Sequence, residues 1–258
     1  MRGSTIHAPL LGEKLDFMCK LLGIKQKNIA LELNLTTSAI SKWRNGNYVP
    51  GDKAPVLCKL LGGISIKELE LEDFTEFKEA VLKHFSDNIG NIWKAFAKNR
   101  GVLYYLSFEI ISPPKCTGLK GISKKPQEKF SLTSPRVSIG STIRFKLKAH
   151  QLKPITMLLI VETPKDILLL VPDNIEDSKK ERGGYYFFPD VDEDPLHVCD
   201  PMGPHSAHLL SLFEQPTESL KQIIATSAGG YAADELAKWL IEYEIAHKIN
   251  TVNFLVNA

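Results

Sequence analysis

The chain has 258 residues, of which 43% are hydrophobic and 24% charged, and its formal net charge at pH 7 is +2. A chain of this length and composition can bury a sizeable core and suits two compact domains better than one. Its longest apolar runs, such as ITMLLIVE and DILLLVPD, fall far short of the roughly 20 residues that a membrane-spanning helix needs, which excludes membrane passage. Acidic residues interrupt the N-terminal apolar residues, so no signal peptide is predicted and we expect a cytoplasmic protein.

The four cysteines are scattered without any Cys-x-x-Cys pair: Cys19, Cys58, Cys116 and Cys199. This spacing argues against a disulfide framework and against a structural zinc site, and it predicts reduced, buried thiols. Cys19 and Cys58 fall on the first and fourth predicted helices of one small domain, so a redox pair remains an alternative.

The charge is unevenly distributed along the chain. Residues 1–71 carry ten Lys or Arg against six Asp or Glu, whereas the remainder carries 22 against 24. The basic N-terminal part is therefore the candidate for a polyanionic partner.

Two short helices joined by a tight turn are predicted in residues 26–46, QKNIALELNLTTSAISKWRNG. Apolar residues recur there at helical spacing, first as Ile29, Ala30 and Leu33 and then as Ala39, Ile40 and Trp43. Asn34 tolerates the left-handed backbone that ends a helix, and Thr36 can accept a backbone N–H at the start of the next one. Asn45 and Gly46 are expected to end the second helix.

Packing these apolar faces together leaves the polar residues of the second helix on its outward face. The outward set consists of small side chains and one cation: Thr37, Ser38, Ser41 and Lys42. Such a surface suits the major groove of DNA.

Residues 9–71 resemble the helix-turn-helix domain of the Cro and phage-repressor class, the xenobiotic-response-element type. The resemblance covers residues 26–46 without a gap, with Gln26 at the helix start, Ala30 at the helix crossing, Leu35 in the turn, Ile40 and Trp43 in the core, and Asn-Gly at the end. An amphipathic helix precedes it with Leu11, Leu15, Met18 and Leu22 inward, and DKAPVLCKLLG and SIKELEL supply a fourth and a fifth helix. Asn34 replaces the usual glycine of the turn and can adopt the same conformation. The resemblance implies an all-α domain of five short helices over residues 1–72.

In that family the second helix enters the major groove, and its first exposed residues contact base edges. The resemblance therefore implies that Thr37 and Ser38 are primary base readers, Ser41 and Lys42 secondary ones, and Gln26 and Asn45 phosphate anchors. Lys25, Lys27 and Arg44 flank the same face and add attraction to phosphates that does not depend on sequence. The alternative is that these polar residues merely solvate a helix of a protein-binding module.

A helical connector is predicted over residues 73–100. Its apolar residues recur at spacings of three or four: Phe74, Phe77, Val81, Phe85, Ile89, Ile92 and Phe96. Ser86 or Asp87 can cap a new helix and Gly90 is a weak point, so two helices with a kink are one form of this segment. The exposed apolar face would either dock on the C-terminal domain or pair with a second subunit, and we favour dimerisation.

Residues 101–258 are predicted to form an α+β domain with a mainly antiparallel sheet. The strand segments are VLYYLSFEI, STIRFKLKA, ITMLLIVE, DILLLVPD and YYFFP, followed by the helices PTESLKQIIA and AADELAKWLIEYEIAHK and a closing strand, TVNFLV. Between the first two strands lies an exposed loop whose lysines either remain solvated or contact DNA: Lys115, Lys120, Lys124, Lys125 and Lys129.

Residues 137–213 are similar, more weakly, to an uncharacterised bacterial β-rich domain that is appended to caspase-like peptidases, kinases and other regulators. The similarity rests on the strand segments from GSTIRFKLKA to YYFFP and on DPMGPHSAHLLSLF. It departs from the Gly-Tyr, Asp-Gly and Phe-Pro-Asn of that family at Pro154-Ile155, Lys165-Asp166 and Val171-Pro172-Asp173. It implies a module for sensing or docking, which leaves room for a small-molecule or protein effector.

The residues that could carry metal or catalytic chemistry match no known pattern. His197, Cys199, His205 and His208 are of types that bind zinc, but their spacing fits no closed tetrahedral site. Asp190, Asp192 and Asp194 alternate as in a calcium loop, but Pro195 stands where that loop needs glycine. No catalytic or nucleotide-binding motif occurs. We therefore expect no metal, no cofactor and no enzymatic activity.

The sequence thus predicts a sequence-specific DNA-binding transcription regulator, a repressor, that binds an inverted-repeat operator as a homodimer. Its C-terminal domain is expected to tune DNA binding. One alternative is a protein-interaction adaptor of a defence or mobile-element system that uses the helix-turn-helix as a docking module. Another is an enzyme whose site no motif reveals.

Overall fold

The structure is a computed structural model that describes residues 4–87, 90–103, 105–112, 135–149, 153–171, 181–199, 201–226 and 229–257. The first hundred residues contain seven helices and two short strands among the described positions. In chain order they are β1 (Thr5–His7), α1 (Leu11–Leu22), α2 (Gln26–Glu32), α3 (Thr37–Gly46), β2 (Tyr48–Pro50), α4 (Ala54–Leu60), α5 (Ile66–Leu69), α6 (Phe74–Phe85) and α7 (Asn91–Ala97).

The remaining described residues are dominated by strands. In chain order they form β3 (Leu106–Ser112), β4 (Arg136–Ser138), β5 (Thr142–Lys148), β6 (Thr156–Glu162), β7 (Ile167–Leu170), β8 (Tyr185–Phe188), β9 (Leu196–His197), β10 (Gly203–Leu212), α8 (Glu218–Thr226), α9 (Gly229–Tyr243) and β11 (His247–Asn257). Each of the five strand segments predicted from the sequence contains a strand. The lysine-rich loop between the first two of them lies outside the described residues.

The chain forms two compact units. Unit 1 comprises Met1–Arg100 together with Tyr231–Ile245, and unit 2 comprises Gly101–Gly230 together with Ala246–Ala258. Unit 1 thus continues beyond residue 72 and also contains most of α9.

The expectation of an all-α N-terminal domain with five short helices is wrong. Antiparallel pairing of β1 with β2 places Thr5 opposite Pro50 and His7 opposite Tyr48, and it buries Val49. Unit 1 also contains α6, α7 and α9 in addition to the five expected helices. A strand of three residues is too short to show the alternation of apolar and polar residues that predicts a strand. Its pairing also depends on contacts between distant parts of the chain, which the local sequence does not show.

The core of unit 1 includes a buried lysine that the sequence pattern did not reveal. Lys14 is 0% exposed, and its Nζ donates hydrogen bonds to the carbonyl oxygens of Leu69 at 2.7 Å and Leu71 at 2.5 Å. Its ammonium also lies 5.3 Å from the centre of the Phe77 ring. Burial lowers the pKa of Lys14, and nearby Glu72 acts in the opposite direction. The lysine therefore ties α1 to the end of α5 from inside the core.

The apolar stripe predicted for residues 74–96 lies within unit 1 as two helices. Phe77, Val81, Ile92 and Phe96 are each 1% exposed or less, whereas Ile89 lies outside the described residues. Gly90, at φ 87°, stands immediately before the second of these helices, so the predicted break is confirmed. Because the chain itself buries these four side chains, they are not available as the dimer surface that the sequence suggested.

Helix α9 is held to α7 by a buried carboxylate. Asp234 is 6% exposed and accepts hydrogen bonds from the backbone N–H groups of Gly90 at 3.0 Å and Trp93 at 2.9 Å. One donor belongs to the residue immediately before α7 and the other to its first turn, where N–H groups have no partner within the helix. A carboxylate at that point also faces the positive end of the helix dipole. Asp234 thus joins two elements that lie more than 140 residues apart.

Unit 2 is β-rich, and two sheets share its core. One sheet has the strand order β4-β11-β10-β6-β7, and the other has the order β3-β5-β8 with β9 also paired to β5. The pairings between these strands are antiparallel except for β4 with β11. The apolar cluster between the sheets takes Phe145 from one and Leu159, Leu209 and Phe254 from the other.

The expectation of an α+β domain over residues 101–258 is also wrong. Helix α9 has most of its length in unit 1, so α8 is the helix of unit 2 among the described residues. The sequence shows that 229–243 is helical but not which unit it packs in, because an amphipathic face fits any apolar surface. Among the described residues, no helix has both the length and the apolar character needed to cross a bilayer.

We predict that Asp234→Ala lowers the free energy of unfolding by about 2–4 kcal/mol, because it leaves two helix N–H groups without their carboxylate. The neighbouring Glu235→Ala is the matched control, since Glu235 only forms an exposed ion pair with Lys238. Its expected effect is below about 1 kcal/mol. Urea denaturation followed by far-ultraviolet circular dichroism measures both. Equal losses for the two variants would show that Asp234 does not hold α9.

Candidate nucleic-acid interface

The turn between α2 and α3 is the first feature that shapes the candidate interface. Asn34 has φ 53°, so the prediction that it adopts the left-handed conformation is confirmed. The next N–H, of Leu35, donates to the Ala30 carbonyl at 2.8 Å. Thr36 then caps α3, because its hydroxyl oxygen accepts from the Ala39 N–H at 3.2 Å. The chain therefore reverses within the four residues 33–36 and starts α3 in a fixed direction.

The inner faces of α2 and α3 are buried as predicted. Ile29, Ala30 and Leu33 on one side and Ile40 and Trp43 on the other are each 5% exposed or less. Burying apolar side chains of this size contributes about 1.5–3 kcal/mol for each large one. The rotation of α3 about its own axis is fixed by this packing.

The end of α3 differs by one residue from the expectation. Gly46 lies within the helix, and Asn47, at φ 51°, is the left-handed residue that follows it. A Cβ at position 46 would lie 2.6 Å from the ring of Tyr48, so any larger residue there would require that ring to shift. The side chain of Asn47 also accepts a hydrogen bond from the Leu11 N–H at 3.3 Å, and its carbonyl accepts one from the Ala8 N–H at 2.8 Å. Asn47 thus attaches the end of α3 to the start of α1.

The predicted reading residues lie together on the outward face of α3. Thr37, Ser38, Ser41, Lys42 and Asn45 are all exposed. The Ser41 hydroxyl donates to the Thr37 carbonyl at 3.1 Å, and the hydroxyl oxygens of Thr36 and Ser38 lie 2.9 Å apart. A hydroxyl that donates one hydrogen bond still has acceptor capacity, so these groups can also bond to a ligand.

The predicted phosphate contacts around α2 are partly available. Lys25 and Lys27 are exposed, whereas Gln26 between them is half-buried at the start of α2. The Gln26 side-chain nitrogen, Nε2, is buried and has no hydrogen-bond partner among the described residues. A buried donor without an acceptor costs about 1–3 kcal/mol. An acceptor that reached this nitrogen would therefore be stabilising.

Arg44 does not lie in the surroundings that the sequence suggested. One guanidinium nitrogen of this half-buried residue donates to Asp16 Oδ2 at 2.6 Å and to the Gly12 carbonyl at 3.4 Å. The pair joins the second half of α3 to α1. Arg44 is therefore engaged within the protein, and its positive charge is largely compensated by Asp16.

Two cysteines of unit 1 are protected thiols. Burial, which is the largest cause, and nearby Asp16 raise the pKa of the Cys19 thiol to about 11, although Arg44 acts in the opposite direction. Burial also raises the pKa of Cys58, to which Glu68 adds. Because the thiolate is the reactive form, neither residue is activated for redox chemistry at neutral pH. Neither is part of a disulfide.

The histidines considered for a metal site are divided between two surroundings. His205 and His208 stand three residues apart on β10, so their side chains point to opposite faces. His205 stacks on Phe254, with 5.3 Å between the ring centres, whereas His208 contacts Thr251 and Glu162 at 2.9 and 3.1 Å. A small cavity of about 120 Å³ in unit 2 is bordered by His205 together with His197 and Cys199. Within the described ranges, no three His, Cys, Asp or Glu residues are placed to hold a metal ion.

The acidic turn that resembled half of a calcium loop is held by the side chain of Arg182. Arg182 forms an ion pair with Asp192 and lies 3.6 Å from Asp190. The Asp190 backbone N–H donates to Glu193 at 2.8 Å. These contacts connect the two ends of the turn to each other and to Arg182.

Two residues important for placing α3 were missed by sequence reasoning. The sequence patterns single out neither Asp16 nor Asn47. Asn47 directly follows Asn-Gly, which is a signal for a turn, so its left-handed conformation was open to prediction. No local signal connects Asp16 with Arg44, which lies 28 residues later.

A scan against protein-family models finds no match to this chain, and a search among curated proteins finds no similar sequence. Any assignment of function therefore rests on the geometry of the α2–α3 region and on the resemblance of residues 9–71.

We predict that Asn34→Ala lowers the free energy of unfolding by about 1 kcal/mol, because alanine is disfavoured in the left-handed region. Asn34→Gly should be neutral or slightly stabilising, since glycine adopts this conformation freely. Asn28→Ala, on the exposed side of α2, is the control and should change little. Urea midpoints provide the comparison. If alanine and glycine at position 34 gave the same stability, the left-handed turn would be excluded.

Proposed function

We propose that the protein is a sequence-specific DNA-binding transcription regulator, a repressor, whose α2–α3 region is a helix-turn-helix of the Cro and phage-repressor class. The observation that carries the proposal is the outward face of α3, where small polar side chains and one lysine are exposed together. The inner face of the same helix is buried, so the polar face is held in a single orientation. A helix presented in this way fits the major groove, where base edges offer hydrogen-bond partners.

The roles of the individual residues follow from their positions along α3. Thr37 and Ser38 stand in the first turn, which enters the groove first in this docking geometry, and we assign them to base edges. Ser41 and Lys42 lie one turn further and are secondary readers. Asn45, near the helix end, is assigned to a phosphate.

The positive charges of the face support binding to the DNA backbone. Lys25 and Lys27 are exposed beside the start of α2, and Lys42 is exposed on α3. Lysines in such positions add affinity that is independent of sequence and falls with salt. A phosphate oxygen is also the kind of acceptor that the unpartnered nitrogen of Gln26 lacks. Arg44 is assigned a different part, since its pairing with Asp16 makes it a brace of α3.

The role that we propose for unit 2 rests on the sequence, and so do the remaining parts of the proposal. The strand segments that resemble a bacterial accessory domain lie in unit 2, which we assign to sensing or docking. We further propose that the regulator acts in the cytoplasm, is not an enzyme, and binds an inverted repeat as a homodimer. One α3 reaches only a few base pairs, and two copies are needed for tight, specific binding.

A second candidate is a protein-interaction adaptor of a defence or mobile-element system. The observation in its favour is Leu31 on α2, whose side chain is 74% exposed. An exposed leucine suits a protein partner better than a phosphate backbone. The two candidates differ in their salt response, because binding to DNA weakens steeply as salt rises.

We predict that Thr37→Ala and Ser38→Ala each change which bases are preferred and each cost about 1–3 kcal/mol on the preferred sequence. The measurement is selection of binding sites from a random DNA pool, followed by titration of the enriched duplex. Lys27→Ala should instead weaken enriched and random duplexes by the same factor, because a phosphate contact carries no sequence information.

Ser86→Ala is the control, because it also removes an exposed hydroxyl but does so at the end of α6, which is not part of the proposed DNA-reading helix. The base-reading assignment fails if the two α3 variants enrich the same sequence with the same affinity as the unaltered chain. It also fails if no sequence is enriched at all.

We predict two chains per operator, with the enriched sequence forming an inverted repeat. Half-sites on one face of the duplex should have centres about one helical turn, roughly 34 Å, or a multiple of that apart. Light scattering of the complex after gel filtration gives the mass, and a footprint gives the spacing. A single chain protecting one half-site would contradict the dimer.

A further inference from the structure

Unit 1 contains a cavity between α1, α6 and α9 that no part of the DNA-reading proposal uses. Its volume is about 630 Å³, which lies within the range of about 300–1,000 Å³ found for small-molecule sites. Apolar side chains from all three helices form part of the wall: Phe17, Phe74, Leu82 and Ile241. The first two rings meet edge to face, with their centres 6.2 Å apart. A ligand with an aromatic or aliphatic body would find matching surface there.

The lysines of this wall are already engaged. Lys20 and Lys238 each form an ion pair with a carboxylate that lies outside the lining, Glu244 and Glu235. The third lysine, Lys78, holds its ammonium 5.4 Å from the centre of the Phe74 ring. Lys78 is therefore the one lysine of the wall that has no carboxylate partner among the described residues.

Most carboxylates of the wall, by contrast, have no partner among the described residues. Glu13, Glu79 and Glu242 are exposed at the cavity and carry no hydrogen bond or ion pair among the described residues. The fourth carboxylate, Asp16, is the partner of Arg44. The unmatched charge of the cavity is therefore negative.

We propose that this cavity binds a lipophilic organic cation, and that the bound cation lowers the affinity of α3 for DNA by competing with Arg44 for Asp16. The second half of the proposal rests on the proposed DNA-binding function. Asp16 belongs both to the cavity wall and to the contact that braces α3. A cation close to Asp16 weakens that contact, because the cation and the Arg44 guanidinium compete for the same carboxylate.

The energetic coupling has a defined sign. The arrangement of α3 that binds DNA keeps the Asp16–Arg44 pair, so it binds the cation more weakly than an arrangement in which the pair is broken. By linkage, the cation must then reduce DNA affinity by the same factor by which DNA reduces cation affinity. The ligand acts as an inducer of a repressor.

The first experiment measures the cavity without DNA. Tetraphenylphosphonium is the probe, and tetraphenylborate, which has the same shape and the opposite charge, is the control ligand. Calorimetric titration of the full chain should show binding of the phosphonium and much weaker binding of the borate. Removing the free carboxylates together, as Glu13→Gln, Glu79→Gln and Glu242→Gln in one chain, should weaken phosphonium binding about tenfold, as expected for three exposed charges.

A matched triple variant controls for the change in net charge. Glu32→Gln, Glu70→Gln and Glu76→Gln remove three exposed carboxylates of unit 1 that do not line the cavity, and phosphonium affinity should stay within twofold, roughly the limit for screened surface charges. Equal losses in the two triple variants, equal binding of phosphonium and borate, or no phosphonium binding would each overturn the cavity assignment.

The second experiment measures the coupling on the enriched duplex. Saturating phosphonium should lower the DNA affinity of the unaltered chain at least about fivefold, the lower end of typical coupling. Asp16→Asn should bind DNA more weakly from the start and should not respond to phosphonium. An unchanged DNA affinity in the unaltered chain would overturn the coupling. If no chain binds any DNA specifically, the DNA-reading proposal fails, and the calorimetry still decides whether the cavity binds cations.

Discussion

The reversal of the chain between Leu33 and Thr36 is the constraint on which the proposed interface depends. A left-handed residue, a buried leucine before it and a hydroxyl cap after it turn the backbone from α2 into α3 within four residues. So short a connection allows few relative directions of the two helices. The buried side chains of Ile40 and Trp43 then fix how α3 is rotated. The polar side chains on the other side of α3 are exposed because of this short turn and this packing.

The far end of α3 is fixed by contacts of a different kind. Asn47 attaches it to the start of α1 through hydrogen bonds, and Arg44 reaches Asp16 on the same helix. A helix held at both ends presents its side chains at a constant distance and angle. The ionic brace is half-exposed, so it is weaker than the buried packing and can respond to charges that approach it. Precise placement and sensitivity to a ligand therefore arise from the same contact.

Local signals in the sequence were enough to predict the α2–turn–α3 region. Asn34, Thr36 and the apolar residues of both helices each act on neighbours within four positions, and they took the predicted conformation or burial except for Ala39, which is half-buried. The ribbon of β1 with β2, the position of α9 and the brace from Asp16 to Arg44 could not be predicted in this way. They depend on contacts across dozens to more than a hundred residues, which propensity and periodicity do not record. The exposed face of α3 was predicted, whereas the engagement of Arg44 was not.

The most direct test of the central claim is a map of the surface that DNA contacts. Isotope-labelled protein is titrated with its enriched duplex, and the changes in amide chemical shift are followed residue by residue. The proposed function predicts that the largest changes fall on the start of α2 around Gln26 and on residues 37–42 of α3, and that a random duplex gives smaller changes at the same places. Changes confined to unit 2, or no changes on α3, would contradict the assignment of α3 as the DNA-reading helix.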